Sequence, residues 1–208
     1  MNNTKAKILS TSLDLFNTYG LAKVTLRTIA KEMNISQGNL NYHFKKREDI
    51  IEALYFDLVK KIDAGIPEIE PSKINISVLI GMSNYIMKSS FDYRFFLLDF
   101  VLIIRENQTI KLHYANLVKQ RQQQFGGLIM LLVQNDLMRP EKLNNEYELL
   151  IKRFHILGDF WISSAKIYNK KITKNLISEY SEILIQSIFP YLTLKGEKEY
   201  QTAINKSK

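Results

Sequence analysis

The 208 residues suffice for one or two modest domains, and 46% apolar with 24% charged residues is the balance of an ordinary globular chain, not of a disordered one. The absence of cysteine excludes disulfides, thiol catalysis and thiolate metal sites. The formal charge of +8 is focused: residues 1–47 hold eight Lys/Arg against two acids, Asp14 and Glu32, which points to a polyanionic partner for that segment.

In chain order, a first helix is expected from Thr4 to Tyr19, with Ala6, Leu9, Leu13 and Phe16 at 3–4 spacing and Gly20 as its stop. Thr25 is placed to cap a second helix whose Leu26, Ile29, Ala30 and Met33 share one face. Asn34 suits the left-handed residue that ends such a helix, and Ile35 gives an apolar plug. Ser36 is a good N-cap for a short third helix, Gln37 to Phe44. Leu40 and Phe44 would pin that helix inward, so that Gln37, Gly38, Asn39, Asn41, Tyr42 and His43 point out. That outward set suits a recognition helix, with amides and small residues for base edges and hydroxyl and imidazole groups for phosphates. Lys45, Lys46 and Arg47 add a cationic edge. A fourth helix starts near Arg47, where Glu48 and Asp49 suit its positive end, with Ile50, Ile51, Leu54 and Leu58 inward. Gly65-Ile66-Pro67 ends it, and Pro67 to Pro71 is the clearest boundary in the chain.

Further helices are expected at 73–90, 93–106, 109–134, 145–168 and 174–192, and the polar Lys195 to Lys208 tail is expected to fray. The fold class is all-α, with about nine helices. The most apolar run, Phe95 to Ile104, is ten residues with Asp99 inside it, about half of a bilayer crossing. With no signal-peptide core at the start, a cytoplasmic protein is the expectation.

The stretch from Ile8 to Leu54 resembles the N-terminal domain of TetR-family transcriptional regulators. The most specific parts are Thr25-Leu26-Arg27-Thr28-Ile29-Ala30 and Leu40-Asn41-Tyr42-His43-Phe44 with Arg47 following. Asn34 stands where the family usually has glycine, and Asn41 where it often has an aromatic. The resemblance implies contact with double-stranded DNA through Arg27 and Thr28 and through the tip residues Ser36, Gln37, Gly38 and Asn39. It extends that contact to Asn41, Tyr42, His43, Lys46 and Arg47. It further implies a ligand-responsive regulator, most often a repressor, that binds a near-palindromic operator as a homodimer. Residues 1–47 would form the DNA-binding head, and 48–208 the effector-binding and dimerisation body. The competing reading is a helical interaction protein whose basic head binds DNA or protein without sequence preference.

In the body the signals are coarser. Phe96, Asp99, Phe100, Phe154 and Trp161 are the candidate contacts for an unknown, largely apolar small-molecule effector, with Phe95, Met82 and Met87 as further pocket candidates. For the aromatics and methionines the alternative is plain core, and for Asp99 a nearby cation or solvent. His155 and Asp159, four apart, read as a local hydrogen bond, because two ligands do not make a metal site. Gly126-Gly127 lacks the Lys-Ser/Thr of a phosphate loop. No catalytic residue, metal or cofactor is therefore expected. Two apolar stripes mark the expected dimer helices, 145–168 and 174–192. They are Leu150, Phe154, Leu157, Trp161, Ala165 and Tyr168, and Leu176, Ile177, Tyr180, Ile183, Leu184 and Ile188. Without the resemblance these stripes read equally well as ordinary core.

Overall fold

The computed structural model describes residues 3–66, 73–169 and 171–207. Among these, eleven α-helices account for the regular structure, with one isolated bridge between Met138 and Leu192. The expected boundary at Pro67 to Pro71 lies outside the described residues. No described helix is long and apolar enough to cross a membrane.

The first four helices follow from local chemistry. Helix α1 (Asn3–Tyr19) stops at Gly20, whose φ of 80° is a left-handed value that glycine adopts without strain. Helix α2 (Leu26–Glu32) starts in a reciprocal cap, in which the Thr25 hydroxyl accepts from Thr28 N–H and the Thr28 hydroxyl accepts from Thr25 N–H. Asn34 then turns left-handed at φ 54°, so that Ile35 N–H reaches Ala30 C=O at 3.0 Å and Asn34 N–H reaches Lys31 C=O at 3.1 Å. That pair of bonds is a Schellman ending built on asparagine. Ser36 caps helix α3 (Gln37–His43) by accepting from Asn39 N–H at 3.2 Å. In helix α4 (Arg47–Ala64), Ile50, Ile51, Leu54 and Leu58 are buried as expected.

The body comprises α5 (Ile76–Asp92), α6 (Arg94–Leu98), α7 (Phe100–Glu106), α8 (Gln108–Gln134), α9 (Glu146–Tyr168), α10 (Asn175–Gln186) and α11 (Leu194–Ser207). Its core is continuous with that of the first three helices: Ile8, Phe16, Ile29 and Leu40 belong to the same buried cluster as Phe95, Phe96 and Trp161. The Asn17 side chain crosses the seam, donating to Asp92 C=O at 2.8 Å and accepting from Phe95 N–H at 3.0 Å. A second cluster, from Ile74 and Ile80 through Leu132 and Leu150 to Ile188 and Tyr200, closes the far end.

Three expectations are corrected. The single helix at 93–106 is two, because Asp99 leaves the helical region at φ −108°, ψ 20°. The helix expected through 192 ends at Gln186, ahead of a 3-10 turn at Phe189–Tyr191, since Pro190 can neither donate nor let its predecessor sit easily in a helix. The tail, finally, is helical from Leu194 to Ser207. Thr193 caps it through Gly196 N–H at 3.1 Å, and Tyr200 and Ala203 are buried in the second cluster. Glu199 accepts the Ile76 N–H at 3.3 Å, satisfying a free donor at the start of α5.

Gly196 is what lets this last helix seat. A Cβ there would lie 2.0 Å from the Leu137 carbonyl oxygen, a backbone atom that cannot move aside cheaply. Gly196→Ala is therefore expected to cost about 1–3 kcal/mol by overpacking. In thermal unfolding this should appear as a fall of several degrees, while Gly127→Ala, with open space around it, changes little.

Candidate DNA-binding face and effector cavity

Helix α3 is held by its own two apolar anchors. Leu40 is fully buried and Phe44 nearly so, which turns Gln37, Gly38, Asn39, Asn41 and Tyr42 to solvent. Tyr42 is 86% exposed, an unusual position for a tyrosine with nothing to bind. The half-buried His43 packs edge-on against the Tyr42 ring, with centroids 5.2 Å apart. On α2, Arg27 and Thr28 are exposed, as are Lys45 and Lys46 beyond α3. The hydroxyls of Thr28 and Ser36 serve as caps, so they shape the two helices whatever else they touch.

Arg47, expected at the cationic edge beside α3, is half-buried. Its guanidinium turns inward, Nη1 donating to the Leu21 carbonyl at 2.9 Å and towards Val24 C=O at 3.5 Å, with Glu48 at 3.3 Å from Nη2. The Leu21 carbonyl already accepts the Val24 N–H at 3.3 Å, so the arginine adds a second donor there and ties the turn before α2 to α4. Asp99 belongs to the same junction. Burial raises its carboxyl above the ordinary value, against the opposing pull of the Leu21 N–H and the Arg47 charge. It does not line the cavity where the effector contact was expected of it.

A cavity of about 230 Å³ lies between α4, α5, α6, α8, α9 and α10. Of the expected contacts, Phe96 and Phe154 line it, together with Met82 and Met87. Phe100 and Trp161 do not. Phe100 packs against Tyr114 and Phe160, and Trp161, 1% exposed, lies against Tyr180; both are core. The same geometry adds liners that sequence reasoning passed over, chiefly Tyr55, Tyr114, Arg121 and His155 with Asp159. The i, i+4 pair His155 and Asp159 was the available signal, but its partner is not internal. The Tyr114 hydroxyl, from α8, donates to Asp159 Oδ1 at 2.5 Å, and His155 Nε2 is buried with no hydrogen-bond partner. No three His, Asp or Glu side chains gather as a metal site among the described residues.

Helix α4 faces both sites. Arg47 at its start grips the head, while Tyr55, Leu58, Val59 and Ile62 form one wall of the cavity. Tyr55 OH meets His113 Nδ1 at 2.7 Å, tying α4 to α8, and Lys61 pairs with Asp92 at 2.6 Å, tying it to α5.

Burial raises the Asp159 carboxyl from 3.8 to about 6, with the Tyr114 bond only partly opposing it. A carboxyl that is harder to ionise in the fold than in the unfolded chain lowers stability above its folded value, and the loss disappears below its unfolded value. Asp159→Asn should therefore raise stability by about 2 kcal/mol at pH 8, with the gain shrinking from pH 6 and gone by pH 4. Thermal unfolding of the two proteins across that range checks it; a gain that does not fade in acid would show another cause.

Comparison with known proteins agrees with this arrangement. Residues 8–54 match the bacterial regulatory proteins of the tetR family, and residues 58–200 match the TetR bacterial transcriptional repressors. A relative, the uncharacterized HTH-type transcriptional regulator YerO of Bacillus subtilis (strain 168), is 26% identical over 138 residues, 63% of this chain and 47% of its own length. The chain thus spans about half the length of that relative. Among solved structures, a TetR-family transcriptional regulator from Marinobacter aquaeolei VT8 superposes with a TM-score of 0.87 at 22% identity, covering 98% of each chain. A putative transcriptional regulator from Saccharomonospora viridis, solved in complex with choline, gives 0.70 at 16% identity, over 92% of this chain and 98% of the other. A helix-turn-helix head carried on a helical body with an internal cavity, matched over both parts, makes this chain a member of the TetR family of transcriptional regulators.

Proposed function

We propose that this protein is a repressor, acting in the cytoplasm as a homodimer on a near-palindromic operator, and that a small, largely apolar effector in the cavity releases it. The observation that carries this reading is the double role of α4, which is bonded to the head at Arg47 and walls the cavity from Tyr55 to Ile62. An effector that binds better to one setting of α4 than to another shifts the population between DNA-competent and DNA-incompetent states. The choline held by the Saccharomonospora protein supports a small organic occupant for a body of this shape. The division of labour is a head of residues 1–47 and an effector-binding and dimerisation body of 48–208.

On the DNA side, Gln37 and Asn39 are the base readers, with Gly38 allowing close backbone approach, and Arg27 serves an adjacent base or phosphate. Lys46 and Tyr42, both exposed, take the phosphate role in place of the inward Arg47. Asn39→Ala should relax preference at one operator position, whereas Lys46→Ala should weaken binding to all sequences and reduce the salt slope by about 1. Arg47→Ala should instead lower the melting temperature of the free protein. Selection from a random DNA pool should return an inverted repeat with half-sites roughly 34–36 Å apart. A single half-site bound by one protomer would refute the dimeric mechanism, and equal retention of all sequences would favour an unspecific binder.

The dimer face also differs from the stripes read in sequence. Leu150, Trp161 and Ala165 of α9 and Leu176, Tyr180 and Ile188 are buried within the protomer, and Phe154 and Leu184 line its cavity. The opposite side of α9 exposes Leu149, Ile156, Phe160 and Ile167, at 50, 58, 42 and 78%, in near-heptad spacing, and α10 exposes Ile183. A contiguous apolar face of that kind is what a second copy would cover. Ile156→Asp places its charge on this face without touching the core, so sedimentation should show folded monomers. Unchanged dimers would move the interface elsewhere.

A further inference from the structure

The cavity wall carries an unbalanced charge. Among its described residues Asp159 is the one carboxylate and Arg121 the one guanidinium. Arg121 is already committed, in an ion pair with Asp63 and a 2.7 Å bond from Nη1 to Gln124 Oε1, so those two opposite charges cancel at the seam of α4 and α8. The remaining ionisable liners are neutral near pH 7, because burial pushes the Tyr55 and Tyr114 phenols up and the His155 imidazole down. Asp159 accepts one hydrogen bond, from Tyr114, and no described cation bears on it. A carboxylate in such surroundings is costly to leave unpaired.

We infer that the occupant of this cavity is an organic cation, an ammonium group on an apolar body, seated with its charge against Asp159. The inference rests on the reading of the cavity as the effector site. Three properties of the wall select the class. The ammonium supplies the countercharge that no protein group provides. The rings of Phe96, Tyr114 and Phe154 offer negative faces on which a cation is favoured over a neutral group of the same shape. An anionic ligand would meet the charge of Asp159 and would have to draw Arg121 away from Asp63, while a neutral ligand would leave Asp159 as it stands.

Three probes with one apolar body separate these cases: 4-phenylbutylamine, 4-phenylbutanol and 4-phenylbutyrate, titrated calorimetrically into the full-length protein at pH 7.5. The amine should bind about tenfold tighter than the alcohol, and the acid weakest. In Asp159→Asn the preference of amine over alcohol should vanish while alcohol affinity is kept. In Tyr114→Phe, which retains the carboxylate, the preference should persist. Equal binding of amine and alcohol, preference for the acid, an unaltered preference in Asp159→Asn, or no binding of the amine overturns the assignment. Release of operator DNA is read separately. Amine preference without release keeps the charge assignment and removes the effector reading; release driven equally well by the alcohol keeps the effector reading and removes the charge assignment.

Discussion

The structure depends on α4 having to satisfy two neighbours at once. Its N-terminal arginine donates to the carbonyls of Leu21 and Val24, and its middle turns pack Tyr55 and Leu58 towards the body. Neither obligation can be relaxed alone, since a helix transmits a displacement of one end to the other within a packed core. The seam is reinforced away from α4 by Asn17, which bonds both Asp92 and Phe95. Head and body therefore share a buried core, held at its edge by hydrogen bonds to backbone groups. Such bonds are short-range and directional, so the junction is better suited to two discrete settings than to gradual bending.

The cavity sits where this linkage is most exposed to influence. It is walled by side chains from six helices, and a space of this size forfeits packing contacts for the atoms that border it. A further cost comes from Asp159, whose ionised form is disfavoured by its surroundings. A ligand bound there stabilises the folded protein by mass action, and it moves α4 only as far as it favours one setting of that helix over another.

Much of the head was legible because its determinants are local. Thr25, Asn34 and Ser36 each act within a few residues of themselves, and Leu40 with Phe44 fixes which side of α3 faces out. The inward turn of Arg47 was not legible for the opposite reason: its partners lie 26 and 23 residues away, and a cation beside a recognition helix looks the same in sequence whether it turns out or in. The body was harder still. Helical periodicity marks an apolar stripe but does not say what covers it: Leu150, Trp161, Ala165, Leu176, Tyr180 and Ile188 of the α9 and α10 stripes are core, Phe154 and Leu184 line the cavity, and Tyr168 and Ile183 are exposed. Likewise Phe96 and Phe154 border the void while Phe100 and Trp161, of the same chemistry and spacing, do not. The difference is set by how α8 and α9 cross, which no single helix encodes. His155 and Asp159 were visible as a pair, yet their meaning came from Tyr114, 45 residues from Asp159.

The bond from Ile76 to Glu199 has a consequence for how the chain reaches this state. The first turn of α5 depends on a side chain 123 residues later, and the second core cluster is completed only by Tyr200 and Ala203. Contacts of such long sequence separation form late, because the intervening loop must close before they return anything. During synthesis Ile74, Ile76 and Ile80 keep an uncovered side until α10 and α11, which both pack on α5, have emerged. The far end of the body is thus the stretch most in need of protection from aggregation at that stage.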